Sequence, residues 1–373
     1  MNRFIVVFTL ALASLAAFGA RDADTRARSE AILKLLNSRA AGSPRGYAEA
    51  AKIVAEDAAK GKPLQRLLIA LVSNDRDAPA EARLDPETRK AYLDGSRDKI
   101  KTLAEERGNA LAWYLLSLEN NDESMLKRAA EGGNVQALNS WGTITLTRAL
   151  RDLGEDTNDV ERVLKKSCSC FQKAADQGDA NGLYNLGMCY LQGFGVDRDP
   201  ERAFECFRTA SEAGHPEAIN NLGGFYRDGI VVEKDHVNAT RWFKKSAEME
   251  NAYGMLNYGL ALQRGEGTPV DEAAAVELFK KAMDRGNVEA LNAYAMCLYN
   301  GSGVAQDRVA AVVHYRKAAA RGFPPAMENL ASCYELGEGG LQKDVNEATV
   351  WKIRARAARG DRSAAAWLSQ NGY

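Results

Sequence analysis

Proline is scarce in this chain, nine residues in 373, and histidine scarcer still at three. Neither sign of charge prevails: 49 Lys and Arg stand against 50 Asp and Glu. Without a basic stripe the chain lacks the electrostatic footprint of phosphate-backbone binding, so nucleic acid is not an expected partner. After the first twenty residues no segment is apolar enough to cross a membrane. There is no His-Glu-x-x-His, no Cys/His ligand cluster and no Gly-Lys-Ser/Thr phosphate loop. No metal ligand, cofactor-binding residue or catalytic residue is nominated, and the expectation is a protein without enzymatic activity. Few prolines, few β-branched runs and many Ala-rich amphipathic segments predict an all-α protein.

The chain begins with a different kind of segment. Arg3 is a short positive region, Phe4 to Leu15 is uncharged and apolar, and Ala17 and Gly19 flank Phe18 in a small-x-small pattern. That is the layout of a secretory signal peptide over residues 1–19, cut after about Gly19, and the expected address is periplasmic or secreted. No Cys follows the apolar region, so a lipid anchor is not indicated there. The alternative is an uncleaved N-terminal anchor; after cleavage no integral span is expected to remain.

Periodicity supplies the architecture. At an offset of 36 residues Gly193 falls on Gly229, Gly265, Gly301 and Gly337. Asp199 falls on Asp235, Asp271 and Asp307, then on Asp344 after a one-residue insertion near Gly340. Further columns hold Ala203, Ala239, Ala275, Ala311 and Ala348, and Gly178, Gly214, Gly286 and Gly322, with Glu250 breaking the last. A strict period over this many copies marks a solenoid. Each repeat has two helical halves. The first carries an apolar stripe such as Ala218, Leu222 and Phe225/Tyr226, with small residues (Gly187, Gly223, Gly259, Ala295, Ala331) inside it. Glycine inside a helix costs about 1 kcal/mol against Ala, so a neighbouring helix is expected to pass too close there for a side chain. The second half starts at the Asp column, as in Asp199-Pro200-Glu201. Asp344 with Glu347 reads as a capping box. It carries an aromatic position (Phe207, Phe243, Phe279, Tyr315) and ends near the second Gly column. Five equivalent Gly-rich turns between helices, with no strand before them, are structural turns and not phosphate loops.

The segments NLGMCYLQGFGVDRDPERAFECFRTASEAG and NAYAMCLYNGSGVAQDRVAAVVHYRKAAARG resemble the SEL-one-like repeat family, relatives of the tetratricopeptide repeats. The resemblance covers Asn181 to Gly360. It implies a right-handed superhelical solenoid of antiparallel helix pairs that holds other proteins together. Ile230 and Val231 depart from the Gly-x-Gly of one turn, and Glu250 from the closing Gly of the same repeat. These departures bring that repeat's turn geometry into question. The expected organisation is a divergent helical region at 20–107, degenerate repeats at 108–178, regular repeats at 179–360 and a capping half-repeat at 361–373. The stretch from Ser73 to Pro86 reads as a polar loop, and RALRDLGEDTND (148–159) as an insertion.

A repeat protein of this kind binds along a surface, so candidates are first-helix residues off the core stripe. They are Tyr184, Met188, Asn220, Tyr253, Leu256, Leu260, Asn292 and Met296, with inter-repeat core packing as the competing role. The column Asn185, Asn221, Asn257 and Asn329, broken by Ala293, is either a ladder gripping an extended peptide backbone or a set of structural hydrogen bonds. The expected partner is a protein or peptide. The alternatives are an envelope hydrolase, for which no metal motif speaks, and a self-associating structural scaffold. Of the six cysteines, Cys189, Cys297 and Cys333 share one column and read as buried thiols. Some secreted members of the family staple each repeat with a Cys pair, a regularity missing here. A bridge from Cys168 or Cys170 to Cys206 stays open.

Overall fold

In each regular repeat an Asp side chain starts the second helix and a left-handed glycine ends the first. In the computed structural model the described residues are 86–106, 108–151 and 157–373, with Ala59 alone before them. The expected signal peptide, the divergent region up to residue 85 and residues 152–156 of the insertion lie outside the described residues. Among the described residues every element is a helix. In chain order they are α1 (Pro86–Glu105), α2 (Ala110–Asn120), α3 (Glu123–Glu131), α4 (Val135–Arg151), α5 (Thr157–Ala175), α6 (Ala180–Gln192) and α7 (Pro200–Glu212). There follow α8 (Pro216–Asp228), α9 (His236–Glu248), α10 (Ala252–Arg264), α11 (Glu272–Asp284) and α12 (Val288–Asn300). The last are α13 (Arg308–Ala320), α14 (Pro324–Leu336), α15 (Val345–Ala358) and α16 (Arg362–Gln370). The chain divides into one body up to Gly214 and another from His215.

The turn inside each repeat is closed from both sides. Gly193, with φ 74°, caps α6 in the left-handed region, where a Cβ would be strained, and its N–H donates to Cys189 O at 2.8 Å. The Asp199 carboxylate then accepts from Arg202 N at the start of α7, while its own N–H donates back to Tyr190 O at 2.9 Å. The same double tie recurs at Asp235, Asp271, Asp307 and Asp344, whose N–H groups donate to Tyr226, Leu262, Leu298 and Tyr334. At Asp344 the capping box is half made. The carboxylate accepts from Asn346 N and Glu347 N, but the Asp344 N–H is already committed to Tyr334 O and is not free for Glu347.

The second Gly of each turn has a different job. A Cβ on Gly303 would lie 2.2 Å from Glu272 O, and one on Gly267 would lie 2.1 Å from His236 O. Each turn therefore rests on the backbone at the start of the preceding repeat's second helix. Thr240 strengthens that seat by donating its hydroxyl to Glu266 O at 2.7 Å.

The core runs between the two helices of each repeat. In the first body Phe171 and Phe207 are fully buried, and in the second Phe279 is, with Phe243 and Tyr315 at 3% exposure. These rings, carried by the neighbouring helix, explain the small-residue column. An added Cβ at Gly187, Gly223 or Gly259 would meet the ring of Phe207, Phe243 or Phe279 at 2.8, 2.5 or 2.6 Å. The first obstacle at each is the aromatic side chain of the partner helix, and at Gly223 the backbone Ala239 O follows at 3.2 Å.

Candidate partner-binding surface

In the second body, α8, α10, α12 and α14 are the first helices of successive repeats. One row of equivalent positions crosses them at Gly224, Leu260, Met296 and Ser332. Gly224 differs from the glycines of the core column, because a Cβ built there would meet nothing within 4 Å. Its helix therefore carries the glycine penalty without a packing reason. Met296 is 42% exposed and Ser332 is exposed, while Leu260 is half-buried against the core of its own repeat. Tyr253, at the first turn of α10, is 54% exposed. Gly224, Tyr253, Leu260 and Met296 thus give the first-helix face an apolar, partly notched surface.

The other candidates lie deeper. Leu256 and Asn292 are buried, at 3% and 8% exposure, in contacts between repeats. Asn220 is half-buried and accepts from Asn257 Nδ2 at 2.8 Å. Asn292 accepts from Asn329 Nδ2 at 2.9 Å in the same way, and its own amide reaches Met296 Sδ at 3.6 Å. At the remaining step the pair is apolar: Ala293 replaces the donor, Leu256 replaces the acceptor, and both lie in one buried cluster. Asn257 and Asn329 are therefore engaged in side-chain pairs one repeat apart. Sequence comparison at an offset of 36 hides this, because donor and acceptor are 37 residues apart. In the first body Tyr184 and Met188 are half-buried, and the Tyr184 ring lies 5.9 Å from that of Phe207. Asn185 in that body and Asn221 in the second are also half-buried.

Beneath this face, Asn257 and Leu260 line a cavity of about 30 Å³ with Arg227, His236, Phe243 and Glu266. That is room for a water or two and no more. The Arg227 guanidinium is held by Asp228 at 2.8 Å and lies over the Phe243 ring, and that pairing holds the Asp228 carboxyl below its usual range. At the far end, Glu328 takes the position of Asn292 one repeat on and clamps Arg359, the C-cap of α15, with Oε2 accepting at 2.9 Å.

Among the described residues no group of three or more His, Cys, Asp or Glu side chains could hold a metal ion. His215 caps α8, its Nδ1 accepting from Ala218 N at 3.3 Å. His314 stands edge-on to Tyr294 with Nδ1 buried and unpartnered, and burial lowers its pKa, with Lys317 adding to the effect. All six cysteines are thiols, four of them buried. Burial pushes Cys297 and Cys333 up to about 11. No helix among the described residues is long and apolar enough to cross a membrane.

The Sel1 repeat model matches residues 148–179, 180–215, 216–251, 252–287, 288–323 and 324–355. A Sel1 repeat protein from Oxalobacter formigenes is similar in structure, 26% identical over 66% of this chain and 96% of that one, with a TM-score of 0.56. A protective antigen present in uropathogenic Escherichia coli strains, displaying an SLR fold, is 25% identical over 85% of this chain and 66% of its own, with a TM-score of 0.53. No curated protein matches the chain.

Proposed function

The chain belongs to the Sel1 repeat family, and from that premise we propose that it is an exported scaffold holding a protein or peptide partner on the exposed face of its first helices. Binding is its task, and it performs no chemistry of its own. The observation that carries this reading is the row across α8, α10 and α12. Gly224 is a helix-interior glycine that packing does not require, and the first helices of the next two repeats leave apolar side chains in solvent at Tyr253 and Met296. A site that accepts the glycine penalty and exposes Met and Tyr has the composition of a recognition surface: adaptable thioether, rigid aromatic, and room for a side chain to enter. The Asn pairs contribute rigidity. They lock neighbouring repeats together. Export rests on the apolar segment at Phe4 to Leu15 and the small residues at Ala17 and Gly19.

The test is site-specific photo-crosslinking in cells at Tyr253 and Met296, with the exposed second-helix residue Val313 as control. One discrete adduct from the first two positions and none from Val313 is expected. The adduct should fall at least about tenfold when Gly224→Leu fills the notch, a loss on the scale of one hot-spot residue. Equal crosslinking from all three positions, or an adduct indifferent to Gly224→Leu, would overturn the surface assigned here. Fractionation and N-terminal sequencing test the address, with Ala20 as the expected first residue of the mature chain.

A further inference from the structure

Cys168 on α5 and Cys189 on α6 are side by side in the first body. Both are buried, at 4% and 0% exposure, and both belong to one cluster with Phe171 and Leu186. Each thiol bears on the other's ionisation, lowering the Cys168 pKa and raising that of Cys189. Cys206 of α7 packs against the same cluster and is half-buried. Gly187 lets it approach: a Cβ there would fall 3.1 Å from Cys206 Cβ.

The same pair of positions recurs in the second body with other residues. Val276 packs with Cys297 in one cluster, and Val312 with Cys333 in another. The contact is therefore a standing feature of the array, formed by the second helix of one repeat and the first helix of the next. Only at 168 and 189 are both residues cysteine. A Val/Cys pair fills such a contact fully, so packing alone does not call for the second thiol.

We propose that Cys168 and Cys189 are an oxidation site that closes to a disulfide joining consecutive repeats, with Cys206 as the thiol through which the oxidant enters. The oxidant is a small-molecule disulfide. The Cys206 thiolate attacks it, forming a mixed disulfide and releasing one small thiol. Cys189 then displaces the second small thiol from Cys206, giving a Cys189–Cys206 bond. Cys168 attacks Cys189, and Cys206 leaves as thiol again. Two protein thiols and one small disulfide have become one protein disulfide and two small thiols. Burial pushes the Cys206 thiol up to about 11, so the thiolate that opens the sequence is a minor fraction near neutral pH and the exchange quickens as pH rises. The proposal uses the export reading only for where the oxidant is met, and its test is independent of that reading and of any partner.

The purified reduced full chain is incubated natively with oxidised glutathione, remaining thiols are alkylated, and the chain is digested with trypsin. Alkylated thiols should fall from six to four, with Ser167–Lys173 joined to the fragment carrying Cys189. Because Ser167–Lys173 holds both Cys168 and Cys170, the Cys170→Ser chain is run in parallel and should form the same bond. Cys206→Ser should form it too, at least about tenfold more slowly, since the remaining pair is buried. Six alkylated thiols after oxidation, a stable bond to Cys206, or a bond lost in Cys170→Ser would overturn the assignment. So would a Cys206→Ser chain that oxidises at the unchanged rate.

Discussion

Val231 and Glu250 stand where the other regular repeats have glycine, and both keep the glycine backbone, at φ 68° and 62°. A Cβ in the left-handed region costs about 1–2 kcal/mol, and Val is among the worst residues there because of its branch. The turn holds regardless, since Gly229 N–H donates to Phe225 O and Asp235 N–H to Tyr226 O on either side of Val231. Val231→Gly should therefore raise the unfolding free energy by ~1 kcal/mol in urea titration. Glu250→Gly should give less, because it removes the 2.6 Å ion pair with Arg285, an exposed contact of small worth. The two departures were legible in the sequence, and their consequence was not: the geometry survives them under strain. His314 makes a second prediction at this scale. Its folded pKa lies below the ordinary ~6.5, so the unfolded chain takes up the proton first. Its contribution to stability is thus present above ~6.5 and lost as pH falls through the folded value. His314→Leu, which copies Leu278 one repeat earlier, should shrink the fall in melting temperature between pH ~7.5 and ~5.5.

Helices meet one another through pairs whose logic crosses repeats. Asn257 with Asn220 and Ala293 with Leu256 are two solutions to one contact, polar and apolar. Changing one partner alone strands a half-buried amide, and changing both restores a matched pair. Asn220→Leu and Asn257→Ala should each destabilise by ~1–2 kcal/mol, while the double variant should recover ~1 kcal/mol of the sum in a double-mutant cycle. Simple additivity would show that the amides do not interact. The sequence revealed the Asn column because Asn is a mediocre helix former and its recurrence demanded a cause. It could not choose between ligand and neighbour, since the acceptor lies on another repeat. The small-residue column was legible as a steric constraint for the same reason, but a ring and a backbone impose one constraint alike. Only the position of Phe243 or Phe279 separates them.

At the scale of the whole chain, charge contributes little to holding the array together. Many ion pairs are three or four residues apart on single helices and largely exposed, such as Lys165–Glu161 and Arg208–Glu205. Such pairs are worth ~0–1 kcal/mol and are screened by salt. Raising NaCl from ~0.05 M to ~0.5 M should therefore move the unfolding free energy by less than ~1 kcal/mol. Stability comes instead from each repeat burying its neighbour's face, a local rule that a periodic sequence displays openly. The proposed binding surface is read with more difficulty because its residues are defined by what they do not touch. Met296 and Leu256 look equivalent as letters, yet one is in solvent and the other is in the core.

The tie from each Asp N–H back to the first helix has a last consequence. In four repeats it spans nine residues, and at Asp344 it spans ten, to Tyr334, with the extra residue taken up near Gly340. The helices on either side keep their caps, so the turn tolerates a change of length without passing it on. Gly340 is accordingly a graft point: a guest epitope or reporter peptide placed there would ride on the array as cargo, leaving the apolar row on α8, α10 and α12 in its original register.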